Sequence, residues 1–462
     1  MAGDGSFEGT AAWLRGQWSN PGDIFTILLL IGGDIVQTAI AQLCAGPVPG
    51  LTPVSFSFGW VTYAVSAMLS AVGNNRLMPS PEVDCIIINA KSGFARTNYS
   101  WILSRMLRDF DHWRPALCDR LEQEKLNELR EINRSSAKPR DEDEIRVALR
   151  VSVWECNSAT GRGSGDVIYW IGLFVTAVQF GIAAIPWGLY GEWYTFFVIG
   201  AGTALAYAGG ALPQWWDEKV GIRKLKYTDT TKERKDVFLT EGNGSHDAIL
   251  ILGCEGGLDL EALAASQREL RSPWTTRVLS FTLAICWIAL LISVSGWEQH
   301  TWYVLAAGML GLVHNVIVAG VPRQPQAFGI DLVHRETIVE GKVMQVLRLV
   351  EESHPRAGAA LLEIFFPGKL FPREQLMWEY AERRAEAWKE NSKKVGHVAR
   401  TEAWPMPPLQ SPLPKKDGKK DDSDIPESGP YTYDGGPSNW DSRPQAVLGA
   451  SRPSKDHVVT VE

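Results

Sequence analysis

Residues Val167–Tyr190 read VIYWIGLFVTAVQFGIAAIPWGLY, 24 residues without one Asp, Glu, Lys or Arg. At 1.5 Å per residue, a helix of about 20 residues covers the roughly 30 Å of a bilayer's hydrocarbon core. Four more runs are equally free of charge: 54–72, 193–211, 278–297 and 301–321. A sixth, 24–43, carries only Asp34 and a Gly32-Gly33 pair. A buried helix of a soluble protein is usually shorter and polar on one face, so these runs read as membrane spans.

The rest of the chain then falls into place around them. The runs come as three hairpins with tight connections at 44–53, Gly191-Glu192 and 298–300, and none of these holds Lys or Arg. All 46 Lys and Arg lie in the other segments, among them the flanking residues Arg76, Arg162, Arg277 and Arg323. The positive-inside rule puts that side in the cytoplasm, and an even number of spans puts both termini there. Trp170, Trp187, Trp193, Trp215, Trp216, Trp274, Trp297 and Trp302 fall near run ends, where Trp prefers the membrane–water boundary. They belong to an unusual excess, 19 Trp against 11 Tyr.

Averages hide this division. The 462 residues are 45% apolar and 21% charged, with a mean hydropathy of -0.10, an ordinary soluble composition. So apolar a chain is not disordered throughout, and six Cys are too sparse for a disulfide scaffold. A net charge of -7 gives no reason to expect nucleic-acid binding. The first 22 residues are polar and hold no apolar signal core, so the first span is expected to act as an uncleaved anchor. The sequons at Asn98, Asn133 and Asn243 lie on the cytoplasmic side and are expected to stay unglycosylated. Cys85, Cys118, Cys156 and Cys254 are expected to be free thiols in a reducing compartment.

The long connections are too rich in pattern to be linkers. Cys85-Ile86-Ile87-Ile88 is strand-like, and helices are expected over 100–121 and 120–133. Val147, Leu149, Val151 and Val153 alternate with polar residues, as in a half-buried strand. Residues 237–240 and 248–252 flank Asn243-Gly244, a hairpin turn signal. Asp259 is placed to cap a helix over 259–265. Strands from these two connections are expected to pair into one sheet. Helical spacing recurs at Val343, Val346, Leu347 and Val350, and again at Leu376, Tyr380, Arg383 and Ala387. From about Ser392 the chain is rich in Pro, Lys, Asp, Ser and Gly, the composition of a disordered tail.

The fold class expected is therefore a membrane all-α protein, six transmembrane helices in three hairpins, plus a discontinuous cytoplasmic α+β module. Its parts are a cytoplasmic N-terminus (1–22), hairpin 1 (23–72), an α+β segment (73–166) and hairpin 2 (167–212). A β-hairpin segment (213–277), hairpin 3 (278–321), a helical segment (322–391) and a disordered tail (392–462) follow.

Intramembrane polar residues are the natural site candidates, because charge is costly in hydrocarbon. Asp34 lies near the middle of the first span, with Gln37 on the same helical face; Gln179, His314 and Asn315 lie in later spans. An Asp34–His314 pair would line a polar path or carry a proton. The alternative is interhelical hydrogen bonding that serves structure alone. Gly202, Ala206 and Gly210 place small residues at every fourth position, a close-packing face. No two of the eight His lie within five residues, so the histidine boxes of di-iron enzymes and the HExxH metalloprotease pair are absent. No Walker loop and no Cys-x-x-Cys occur. GRGSGD, 161–166, reads as a flexible linker. No catalytic residue, metal or cofactor is expected. The partners expected are the lipid bilayer and cytoplasmic proteins, with no nucleic acid; a small-molecule or ion substrate would accompany only the transporter or channel reading.

Several stretches resemble a family of uncharacterised multi-pass membrane proteins of filamentous fungi. These are ILLLIGGDIVQTAIAQL, FSFGWVTYAVSAMLSAVG, QFGIAAIPWGLYGEW, GNGSHDAILILG with GLDLEAL, and VAGVPRQPQAFGI. The resemblance covers about 20–391 and implies no particular activity. The function expected is a non-enzymatic membrane scaffold or sensor with a cytoplasmic partner-binding module, with a transporter or channel around Asp34 and His314 as the alternative.

Overall fold

In a computed structural model, the structure describes residues 32–395 apart from 74–75, 138, 222–223, 226, 229–230, 233, 267–273 and 296–299. The expected N-terminal segment, the start of the first span, Trp297 and the tail beyond 395 lie outside the described residues.

Three helices are long and apolar enough to cross a membrane: Val167–Tyr190, Trp274–Val294 and Thr301–Gly320. A fourth, Tyr194–Gly210, has 17 residues and meets Pro213–Val220 at a bend of 41°. Pro213 stands in the first turn of that second helix, where its missing N–H costs nothing. The bundle helices are α1 (Gly33–Leu43), α2 (Gly59–Val72), α3 (Val167–Tyr190), α4 (Tyr194–Gly210), α5 (Pro213–Val220), α6 (Trp274–Ser295) and α7 (Thr301–Gly320). Phe174, Leu189, Trp274, Ile285, Ile292 and Ile317 stand exposed on them, an apolar exterior that water would not tolerate but lipid would.

The second expected span is not one helix. Residues 51–57 are extended and only α2 is helical. The physical reason is legible in Pro53-Val54-Ser55-Phe56-Ser57-Phe58-Gly59: Pro53 and Gly59 bracket a strict alternation of period two, which suits extended backbone rather than a helix. Thr52 donates its hydroxyl to the Gly210 carbonyl at the end of α4 (2.8 Å). Phe56 packs on Gly202, Phe58 on Gly308, and Gly59 on Gly32. The extended segment thus runs from one end of the bundle to its middle. The chain then returns through α2, because the Leu77 and Met78 N–H groups donate to Glu218 at the end it came from.

The connection 44–53 therefore lies at the end that holds Asp166, Lys219 and Arg323. Lys219 donates to the Cys44 carbonyl, and the Gly163 N–H to that of Ala45. The Gly191-Glu192 connection lies at the opposite end, where His300, the described residue of the third connection, bonds Glu192 (2.8 Å) and stacks on Tyr190. The expectation that all three tight connections share one side is corrected accordingly. Parity of spans therefore no longer puts both termini on one side.

Six strands form one mixed sheet: β1 (Ile86–Asn89), β2 (Ala95–Thr97), β3 (Leu149–Ala159), β4 (Val237–Thr240), β5 (Asp247–Leu252) and β6 (Ile330–Glu340). Their order is β2-β1-β4-β5-β3-β6, with β3 and β5 parallel and every other pair antiparallel. The β4–β5 hairpin turns at Asn243-Gly244, and strands from separate connections do share the sheet. β6 was not expected; its polar side chains, and the register shift that leaves Arg335 unpaired, break the alternation that marks a strand. The helix expected over 100–121 is broken into Trp101–Arg108, a turn at Phe110–Trp113, and Ala116–Arg134; Pro115, which cannot continue a helix, accounts for the second break. Asp259 caps Leu260–Ser266 by accepting from the Ala262 N–H (3.1 Å).

One face of the sheet packs Val151, Val153, Phe238 and Leu250 against α8 (Val343–Ser353), α9 (Ala357–Phe365) and α10 (Pro372–Val395). The other face joins Ile87, Leu239, Ile249 and Trp154 to the core that continues into the bundle through Trp101 and Phe328. Trp215 belongs to this core rather than to a boundary belt, whereas Trp170, Trp187, Trp193, Trp274 and Trp302 are exposed as expected. GRGSGD is not a flexible linker. A Cβ at Gly163 would stand 2.1 Å from the Ala327 carbonyl oxygen, so the backbones meet there directly.

Candidate functional site: polar residues around an unwound segment

An extended segment inside a helix bundle leaves carbonyls without helical partners, and in an apolar surrounding each must be satisfied. Two of the expected site residues do this, and a third meets a side chain of the segment. Gln179 donates from its amide to the Phe56 carbonyl and to that of Ala307, each at 2.8 Å. Asn315 donates to the Ser55 carbonyl (3.0 Å) and to the Ser57 hydroxyl (3.1 Å). His314 Nδ1 lies 3.0 Å from the Ser55 hydroxyl. Trp60 adds its indole N–H to the Ser55 carbonyl (3.0 Å). Gln179, His314 and Asn315 are all buried. Their remaining polar atoms, Gln179 Oε1, His314 Nε2 and Asn315 Oδ1, have no partner.

The small residues of α4 and α7 make room for the segment. A Cβ at Gly202 would meet the Phe56 ring at 2.4 Å, and one at Gly311 would meet the Phe56 carbonyl at 1.7 Å. The face of small residues on α4 thus packs the extended chain, with Gly210 against Thr52.

Asp34 and Gln37 are elsewhere. Asp34 is exposed in the first turn of α1, and Gln37 donates to the Leu77 carbonyl (2.7 Å). Both line an open concavity of about 620 Å³ with Thr38, Ser70, Arg76 and Ser80. The expected Asp34–His314 pair does not form. Asp34 opens onto this surface, whereas His314 faces Ser55.

Sequence reasoning missed a second polar site, where the bundle meets the sheet. Arg105 is fully buried, with Glu82 at 2.8 Å and Asp109 at 3.1 Å. It also donates to the Ala319 and Val321 carbonyls that end α7 (2.9 and 3.0 Å). Arg323 holds Asp166 through both carboxylate oxygens (2.7 and 2.8 Å), and Asp166 caps α3 by accepting from the Tyr169 N–H. Lys219 closes the end of α1 on the Gln42 and Cys44 carbonyls (3.1 and 2.6 Å). Buried cations on the carbonyl ends of α1 and α7 suit the negative pole of each helix dipole. Only the rule that buried charge must be paired could have suggested this from sequence, and it names no partners.

A contact between cysteine and histidine was also unforeseen. Cys118 Sγ lies 3.7 Å from His334 Nε2 and 3.1 Å from the Thr337 hydroxyl. The thiol is fully buried, and burial pushes its pKa up, so it is a poor nucleophile. Among the described residues, no group of three or more His, Cys, Asp or Glu could hold a metal ion. No known protein family, curated protein or solved structure matches this chain.

Proposed function

We propose that this chain is a non-enzymatic integral membrane scaffold or sensor that presents its sheet-bearing module to soluble cytoplasmic proteins. In this reading α3, α4, α6 and α7 cross the bilayer as two hairpins. The segment 52–58 and α2 form a re-entrant element that enters and leaves on the cytoplasmic face. The positive-inside rule puts the sheet on that face, since the Gly191-Glu192 connection at the far end has no Lys or Arg. The resemblance to fungal multi-pass membrane proteins fits this reading and adds no activity to it.

The observation that carries the proposal is where Gln179, His314 and Asn315 direct their hydrogen bonds. They bond the unwound segment and one another's surroundings, while Asp34 stands apart. The test is photocrosslinking from exposed positions on the module, such as Lys369 and Arg373, in cells carrying the full chain. One soluble protein trapped with wild-type chain and with Asp34→Asn alike supports the scaffold. No crosslinked partner, together with a solute flux in reconstituted vesicles that Asp34→Asn abolishes, overturns it. The transporter reading keeps one observation in its favour: the three unpartnered atoms of Gln179, His314 and Asn315 at mid-bundle. A flux lost in Asn315→Leu, with the chain still folded, would establish it.

A further inference from the structure

Asp34 is the one charged residue of the run 24–43, and its side chain is exposed. α1 ends where Lys219 holds the Cys44 carbonyl, at the end of the bundle that meets the sheet. Asp34 precedes Cys44 by ten residues, about 15 Å along a helix. Gly32, just before it, packs on Leu312 and Gly59 in the middle of the bundle. Arg76 adjoins Leu77, whose N–H donates to Glu218 at the sheet-bearing end. The concavity of about 620 Å³ therefore runs from Arg76 and Ser80, near that end, inward to Asp34. A narrower recess between α1 and α2 continues it past Ser66 to Gly33. Leu69, next to Ser70 on α2, is exposed, so apolar surface borders the polar lining. Gln37 and Thr38 donate to the Leu77 and Asp34 carbonyls (2.7 and 2.9 Å), which fixes the wall without neutralising either charge. Among the described residues, neither the Asp34 carboxylate nor the Arg76 guanidinium has an ion pair or a hydrogen bond.

We propose that the groove between α1 and α2 holds the headgroup of a phosphatidylethanolamine from the cytoplasmic leaflet. Its phosphate pairs with Arg76 near the end of the bundle. Its ammonium reaches inward to Asp34, and its acyl chains stay outside against Leu69 and the apolar exterior. An exposed carboxylate at this depth of a bilayer is costly unless polar groups reach it, and the headgroup supplies them. The lining offers one anion and one cation that do not pair with each other, the complement of a zwitterion. An acidic lipid or a lone phosphate would meet Arg76 and leave Asp34 without a donor. The ammonium is of the primary kind. Quaternary ammonium is recognised by aromatic cages, and no aromatic residue lines the wide part of the concavity among the described residues. A primary ammonium instead donates charge-assisted hydrogen bonds to the carboxylate, which choline cannot do. The proposal rests on the membrane part of the proposed function and not on the soluble partner.

The test uses the full chain in lipid discs that hold phosphatidylethanolamine, phosphatidylcholine and phosphatidylglycerol in equal amounts. Native mass spectrometry of the released protein reads which lipid stays bound. Phosphatidylethanolamine is expected to be retained about tenfold or more over phosphatidylcholine, the worth of one charge-assisted hydrogen bond. Asp34→Asn is expected to bring the two to parity, and Arg76→Gln to lower the retention of both. A carbodiimide, which joins a carboxylate to a primary amine, is expected to couple the lipid amine to the Asp34 peptide of unmutated protein. Soluble phosphoethanolamine, added to discs of phosphatidylcholine alone, is expected to couple there far less; equal coupling would overturn the lipid as the source. Equal retention of the three lipids, a preference for phosphatidylglycerol, or coupling at other exposed carboxylates and not at Asp34 would overturn the proposal. So would an Asp34→Asn chain that keeps the preference. The coupling arm needs no variant, so misfolding of a mutant cannot mask the answer. Discs present both leaflets alike, so failure to crosslink a soluble protein would sink the scaffold reading and leave the lipid result standing.

Discussion

Asn315 and Asp34 are both polar residues in runs that read as membrane spans, yet they stand in opposite situations. Asn315 satisfies a buried carbonyl, so Asn315→Leu leaves the Ser55 carbonyl with one donor fewer in an apolar interior. A loss of about 1–3 kcal/mol is expected, read as a lower thermal midpoint in lipid discs. Asp34→Asn on its open surface should change stability by less than about 0.5 kcal/mol. Equal effects of the two would contradict the assignment of roles. Arg105 is the more severe case, because Arg105→Ala leaves Glu82 and the buried Asp109 with Arg108 as their one cation and removes two donors from the end of α7. Breaking a buried ion pair in this way costs about 3–5 kcal/mol, and Arg105→Lys should not restore it, since no lysine spans two carboxylates and two carbonyls. A pH effect belongs at this scale too. The His354 hydrogen bond holds Glu336 below the usual carboxylate range. A depressed carboxylate stabilises the fold above its unfolded pKa, and that contribution is lost as pH falls through the folded value. Thermal midpoints of His354→Ala and wild-type chain should therefore converge in acid and separate toward neutral pH. A gap that widens in acid would refute the pairing.

Elements differ in how plainly the sequence announces them. The helices α3, α6 and α7 are long and apolar enough to cross a membrane, as their uncharged runs suggested. β3 and the β4–β5 hairpin are legible as strands, from alternation and from Asn243-Gly244, but β3 is not half-buried as expected: Arg150 and Ser152, on its polar face, are buried too. The run 54–72 misleads because hydropathy sums side chains and is blind to backbone. Its Ser-Phe alternation between Pro53 and Gly59 carried the extended conformation, but the absence of charge masked it. β6 escaped notice because it pairs along one edge of the sheet and carries polar side chains. Glycines of α4 and α7 supply the test at this scale. Gly311→Val would drive a side chain into the Phe56 carbonyl, which no rotamer relieves. Displacement of the extended segment, and a loss of the order of 3 kcal/mol or failure to purify as a single species, is expected. Gly320→Val, whose Cβ meets nothing, is the matched control and should purify normally.

For the whole molecule, the sequence disclosed the division between membrane and module but not the joint between them. The Arg105, Lys219 and Arg323 contacts pair residues as far apart as Gln42 and Arg323, and no local pattern predicts partners at that distance. The candidate site was legible in part for the same reason. Gln179, His314 and Asn315 were singled out as intramembrane polar residues, but their common partner, the extended segment, required the fold. The central claim is that the chain returns at 44–53 to the face that carries the sheet, and that 52–72 is re-entrant. The most direct measurement is glycan mapping of the chain translated into microsomes, with an acceptor sequon in a lengthened linker inserted after Gly50, or else after Gly191. A glycan is expected on the Gly191 insertion, none on the Gly50 insertion, and none on the exposed native acceptor Asn243. A glycan on the Gly50 insertion would contradict it.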